Sequence, residues 1–309
     1  MTPERPADRL PALLIVCALA AASMVIALAG VSPARVSAVE LMGAERTPGE
    51  AAFIAAHRGG SAMAPENTLP AVRAALVSGF DYVEVDLALT ADGVPVLMHD
   101  RTVNRTTDGT GPLAALTLAE VRRLDAGGSY SAAFAGTPVP TATEFLDVLA
   151  RLDGKAILDL KGVWTPEAAA DLVDVVAARG LERQVAVASF DARTLAYVQA
   201  HSLVISRLLI LKSLPADVVD AALGVGARGI VVDRSALKAH PDAVDDLHAA
   251  GLRVVAYTLN SDRQWDAATT LGVDGIVTLE DLIEEIVGEI DDEQDEESRD
   301  HHRVDATTV

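Results

Sequence analysis

From position 51 onward, short runs of aliphatic and β-branched residues alternate with longer amphipathic stretches. The runs at 53–56, 82–87, 95–98, 156–160, 185–189, 204–211, 229–233, 253–258 and 275–278 have the length and composition of strands. Between them, helical spacing of apolar residues predicts helices over 65–78, 118–124, 166–178, 192–201, 215–223, 241–250 and 262–271. Prolines open several of these stretches, and Gly79, Gly180, Gly251 and Gly272 close four of them, the usual asymmetry of helix ends. Strands alternating with helices predict a parallel sheet. Nine runs in about 230 residues suit a TIM-like (β/α)8 barrel better than an open doubly wound sheet. No glycine-rich dinucleotide fingerprint follows the first run to favour the open form. One link is irregular: residues 88–94 are too few for a crossover helix, so the second and third runs form either a hairpin or a distorted part of the barrel.

The two ends break this pattern. No charged residue lies between Arg9 and Arg35, and 10–31 is almost wholly Ala, Leu, Val and Ile. Residues 1–31 therefore read as a retained signal anchor or a cleaved signal peptide, with small residues at 36–38 suiting cleavage. Either way the expected place of the main domain is outside the cytoplasm, tethered to a membrane or secreted. Residues 32–50 read as a linker and 51–283 as the barrel. Residues 284–309 hold eleven acidic residues against Arg299 and Arg303, and read as a disordered acidic tail. The chain as a whole carries a net charge of -20, which leaves no basic footprint for nucleic acid. Its single cysteine, Cys17, lies in the apolar run, so an internal disulfide and a catalytic thiol in the barrel are both excluded.

Candidate chemistry is concentrated between 53 and 111. His57-Arg58-Gly59-Gly60 follows the first strand, at the strand end where βα barrels place their sites. Arg58 beside two glycines suits an anionic group such as phosphate. In Pro65-Glu66-Asn67-Thr68, Asn67 or Thr68 reads equally well as a helix cap or a site residue. Glu84 and Asp86 are two apart on one face of a strand covered on both sides. Two buried carboxylates there call for a cation, and oxygen ligands suit Mg²⁺ or Ca²⁺; a solvent-exposed strand end is the plainer alternative. His99, at the end of the third run, supplies a second imidazole, and two histidines can take and return a proton near neutral pH.

The order and spacing of these motifs closely resemble the glycerophosphodiester phosphodiesterase family. The resemblance takes in His-Arg-Gly, Pro-Glu-Asn-Thr, Glu-x-Asp, Asp92-Gly93-x-Pro95-Val96, His99-Asp100 and Arg105-Thr106-Thr107-x-Gly109-x-Gly111. It continues through Leu124-Asp125-Ala126-Gly127, Val139-Pro140-Thr141, Ser189-Phe190, Tyr257-Thr258-Leu259-Asn260 and Gly272-Val273-Asp274-Gly275-Ile276, covering about 51–283. It implies a TIM barrel that uses one divalent cation, Ca²⁺ or Mg²⁺, to split glycerophosphodiesters into glycerol 3-phosphate and an alcohol. It also implies His57 and His99 as the acid–base pair, Arg58 and Lys161 as phosphate ligands, and Glu66 and Asn67 as positioning residues. Glu84, Asp86 and Asp159 would hold the metal. Two departures stand out: Asp159 occupies a place where the family usually has Glu, and Tyr257 one where Trp is frequent.

Other readings are a lysophospholipase D-like activity on lysophospholipids, favoured by the apolar segment, and a silent homologue in the cell envelope. Both histidines, Arg58 and the carboxylates are present, against the silent form. A glycosidase built on Glu84 and Asp86 fails, because two residues two apart on one strand cannot flank a bond from opposite sides.

Overall fold

The computed structural model describes residues 41–279. Strands β1 (Phe53–Ala56), β2 (Tyr82–Leu89), β3 (Pro95–Leu97), β4 (Ala156–Leu160) and β5 (Val185–Ser189) make up the first part. They are followed by β6 (Ser206–Leu211), β7 (Gly229–Asp233), β8 (Arg253–Tyr257) and β9 (Gly275–Thr278). Eight of the nine are joined in parallel, and β1 pairs with both β9 and β2, closing a (β/α)8 barrel. The ninth, β3, is antiparallel to β2, with Leu87 opposite Leu97 and Leu89 opposite Pro95. The short 88–94 link is therefore a hairpin, and β3 lies outside the barrel.

Strand alternation sorts the side chains into two layers. Phe53, Ala55, Tyr82, Ile157, Ala186, Leu208, Val231 and Val255 point inward and pack together. Val83, Val85, Leu87, Leu158, Leu160, Val185 and Val187 belong to the larger cluster shared with the surrounding helices. With few aromatic residues available, that outer layer is filled by Val, Leu, Ile and Ala. Residues 41–50, part of the stretch expected to be linker, lie against the lower end of the barrel. Leu41 and Met42 are buried among the inward side chains. The Tyr82 hydroxyl donates to the Leu41 carbonyl, and the Arg46 amide donates to Asp274 Oδ1 at 3.1 Å.

The helix expected over 65–78 forms only at Leu69–Val77, because Thr68 is its cap, the hydroxyl accepting from the Ala71 amide. The structure adds a helix at Ala142–Arg151 to those expected. Thr141 and Glu144 form a capping box at its start, and Phe145, Leu146, Val148 and Leu149 bury one face. The long connection from β3 to β4 has its own small core of Val96, Met98, Val103, Leu113, Val121, Ala126 and Val139. This core holds the loop that carries His99 and Arg105. No helix among the described residues is long and apolar enough to cross a membrane. The expected anchor or signal at 1–31 and the acidic tail at 284–309 lie outside the described residues.

Candidate active site

A pocket of about 240 Å³ opens at the carboxyl ends of the strands. His57, Arg58, Glu84, His99, Asp159 and Lys161 line it, with Phe190, Lys212, Tyr257 and Thr258 on its walls. His57 begins the turn that leaves β1, and Arg58 sits in the left-handed region at φ 54°. That bend aims the Arg58 amide at Glu84 Oε2, 2.9 Å away. Gly59, at φ +83°, suits glycine for a second reason: an added Cβ would lie 3.1 Å from the Val72 amide of the helix packed behind it, a tight contact.

Glu84 and Asp86 both point into the barrel, and the parallel register sets Asp86 directly beside Asp159. One oxygen from each of Glu84, Asp86 and Asp159 falls within 4.8 Å of the others, and all three residues are buried. The shorter side chain of Asp159 thus reaches the group. Burial, with repulsion from Asp86 and Asp159, pushes Glu84 well above the usual carboxylate range. Burial also lifts Asp159 to about 6, although Lys161 opposes the shift. Asp86 is equally buried, yet the positive charge of Lys161 and a hydrogen bond from Asn67 hold it below its ordinary value. Asp159 Oδ1 has no hydrogen-bond partner, and Asp86 Oδ1 is met by the Lys161 ammonium at 3.0 Å. Three crowded inward carboxylates are a donor set that could hold a hard divalent cation.

Asn67 pairs with Asp86 twice. Its side-chain amide donates to Asp86 Oδ2 at 2.8 Å, and the Asp86 amide donates to Asn67 Oδ1 at 3.0 Å. Asn67 adopts φ 55° to do so, which settles the two sequence alternatives: Thr68 is the cap, and Asn67 faces the site. Lys161 bridges Asp86, 3.0 Å away, and Asp159. His57 is half-buried, with 15% of its side chain exposed; desolvation and the Arg58 charge lower its pKa to about 4, so it is neutral near pH 7. Its Nδ1 lies 3.4 Å from Thr258 Oγ1 and its Nε2 3.8 Å from Glu84 Oε2.

His99 also lines the pocket, its Nδ1 2.7 Å from Asp100 Oδ1. Asp100 in turn accepts from Arg105 Nε at 2.7 Å. Glu66 accepts from Arg58 at 3.0 Å and from Arg105 at 2.6 and 2.8 Å.

A sequence model of the glycerophosphoryl diester phosphodiesterase family matches residues 57–279. The chain belongs to this family. It is accordingly a phosphoric diester hydrolase of the glycerophosphodiester phosphodiesterase class. A glycerophosphodiester phosphodiesterase of Caldanaerobacter subterraneus is 30% identical over 228 residues, which cover 73% of this chain and 93% of the relative. A probable glycerophosphodiester phosphodiesterase 1 of Mycobacterium tuberculosis is 31% identical over 245 residues, 73% of this chain and 88% of the relative. Among solved structures, an Oleispira antarctica phosphodiesterase in complex with the product sn-glycerol-3-phosphate superposes with a TM-score of 0.68 at 27% identity. That match covers 77% of this chain and 96% of the other.

All nine residues singled out in the sequence lie at this end of the phosphodiesterase barrel. No role for Asp100, Arg105, Thr258 or Lys212 is legible in the sequence by itself. Asp100 adjoins a candidate histidine, which is a usable signal. Arg105 meets Glu66 across 39 positions, a contact that no local pattern encodes.

Proposed function

We propose that this phosphodiesterase hydrolyses glycerophosphodiesters to glycerol 3-phosphate and an alcohol, using His57 and His99 as the proton-transfer pair and one divalent cation, Ca²⁺ or Mg²⁺. The observation that carries the proposal is the three-carboxylate group in a pocket that also holds both histidines, Arg58 and Lys161. Glu84, Asp86 and Asp159 would hold the cation, which when bound supplies Lewis-acid polarisation of a phosphoryl oxygen.

Arg58 and Lys161 face the phosphate with positive charge, Arg58 through a planar fork of donors. A substrate hydroxyl beside the phosphate attacks phosphorus and gives its proton to one histidine. The other histidine protonates the departing alcohol oxygen, leaving a cyclic phosphate. Water then opens the ring with the two roles reversed, yielding glycerol 3-phosphate and restoring both histidines. An Nδ1–H donated to Asp100 fixes the ring of His99 and leaves its Nε2 as the atom that exchanges protons. Asn67 and Glu66 act one step back, the first on Asp86 and the second on Arg58. We also place the domain outside the cytoplasm, tethered or secreted, on the strength of the uncharged run between Arg9 and Arg35.

The test is release of glycerol 3-phosphate from glycerophosphocholine, with Ca²⁺, with Mg²⁺ and with EDTA, beside His57→Ala and His99→Ala. Release that needs the cation and both histidines is expected. A folded protein that is inactive with either cation, or cleaves only a lysophospholipid offered in parallel, would overturn the reading. Fractionation of expressing cells tests the location, and recovery in the cytosol contradicts it.

A further inference from the structure

We propose that Arg105 is a positioning residue that couples phosphate capture to proton transfer, its one guanidinium clamping the carboxylates of Glu66 and Asp100 together. The inference rests on the roles just proposed for Arg58 and His99, and concerns how they are held.

The contacts run in two branches from a single side chain. On one side Arg105 donates to both Glu66 oxygens, at 2.6 and 2.8 Å, and Glu66 Oε1 also accepts from Arg58 at 3.0 Å. On the other side Arg105 Nε donates to Asp100 Oδ2 at 2.7 Å and Nη2 to Oδ1 at 3.2 Å. That same Oδ1 is the atom 2.7 Å from His99 Nδ1. Each carboxylate therefore stands between Arg105 and a different pocket residue. Glu66 has only the two arginines as side-chain partners, and Asp100 only Arg105 and His99, among the described residues.

Arg105 is 47% exposed and Asp100 29%, yet the bonding differs from that of an ordinary surface ion pair. Glu66 is largely buried, with 16% of its side chain exposed. Arg105 holds both of its carboxylates through paired bonds, the geometry in which a planar guanidinium fork gains most over a point charge. The loop carrying it rests on its own small core, so the clamp is fixed from behind. A displaced Arg105 would release Arg58 and His99 together, although Arg105 itself does not line the pocket described above. Lys at this position can satisfy one carboxylate but cannot span both.

Kinetics of the full chain with glycerophosphocholine test the coupling, with Arg105→Gln and Arg105→Lys made alone and with Asp100→Asn or Glu66→Gln. Removal of a partner that orients a site residue typically lowers activity roughly 10- to 100-fold. Arg105→Gln is expected to lower kcat/KM by that much, shared between a higher KM and a lower kcat. In Asp100→Asn the same change should affect KM alone, and in Glu66→Gln it should affect kcat alone. Arg105→Lys should restore one share and not both. Wild-type kinetics in Arg105→Gln, or losses that simply multiply in both double variants, would overturn the clamp. Calcium affinity by calorimetry should stay at the wild-type value, and a fall there would mark a general disturbance and count against the proposal. Should Arg105→Gln lose its thermal transition, Arg105→Lys carries the same comparisons. If the wild type releases no glycerol 3-phosphate, the functional reading fails instead. The coupling is then read from inorganic phosphate binding, which Arg105→Gln must weaken through Arg58.

Discussion

Replacing Asp159 by Asn should stabilise the cation-free protein and at the same time remove most of what a cation adds. The Asp159 carboxyl titrates at about 6 in the fold, against about 3.9 in an unfolded chain. Because the folded value is the higher one, the folded state holds a proton between those two values that the unfolded state has lost. Stability therefore falls as pH rises through that window, and the full penalty remains above it. At about 1.4 kcal/mol per unit, the ionised group destabilises the cation-free fold by on the order of 3 kcal/mol near pH 7.5. Asn has the same shape and cannot ionise, so it lifts the penalty. For a domain of this size the rise in Tm is on the order of 5–10 °C. A cation at a hundred times its Kd adds about 2.7 kcal/mol to the wild type, and the variant, short of one ligand, should gain much less at the same concentration. Thermal melts in EDTA and in calcium, at pH 4 and pH 7.5, measure both effects. In EDTA the two proteins should melt together at pH 4 and separate at pH 7.5. A variant that melts at or below the wild type in EDTA at pH 7.5, or gains as much from calcium, would refute the reasoning.

Three further outcomes are expected. Asn67→Gly keeps the left-handed backbone while deleting both hydrogen bonds to Asp86, so cation affinity should fall roughly tenfold or more by titration calorimetry; unchanged affinity would detach Asn67 from the site. Cation binding near pH 6 should release protons, since Glu84 and Asp159 both sit above the usual carboxylate range. Calorimetry in two buffers of different ionisation enthalpy counts those protons, and a count of zero contradicts the raised values. Leu41→Ala, at the buried lower end of the barrel, should lower stability to urea by about 2–5 kcal/mol with KM unchanged; a loss under 1 kcal/mol, or a changed KM, would contradict a purely structural role for the floor contact.

The barrel and its mouth could be read from the chain because both rest on local patterns. Strand runs and helix-closing glycines such as Gly79 and Gly180 follow from backbone preference, and the Glu84–Asp86 spacing places both side chains inside. What escaped has a different physical basis. The helix at Ala142–Arg151 is the exception, since its Thr141–Glu144 capping box and the helical spacing of Phe145, Leu146, Val148 and Leu149 are both local signals. The packing of Leu41 and Met42 is a contact between distant segments, and the local sequence around them is Ala-, Ser- and Gly-rich. Loop length at 88–94 narrowed that link to a hairpin or a distorted part of the barrel, and only the antiparallel pairing of β2 with β3 decides between them. Asn67 shows the limit most sharply: a residue type equally at home as a cap or in a left-handed turn is assigned only once its partner, Asp86, is known.

The two ends of the described chain enter and leave at opposite ends of the barrel. Gly43 accepts from Arg253 at the start of β8, whereas the Leu279 amide donates to Asn260, two residues from Thr258 on the pocket wall. A handle for a bead, sensor surface or fused reporter is therefore best attached ahead of residue 41, where it leaves substrate free to approach. The same handle placed directly after residue 279 emerges beside the opening and competes with substrate for room.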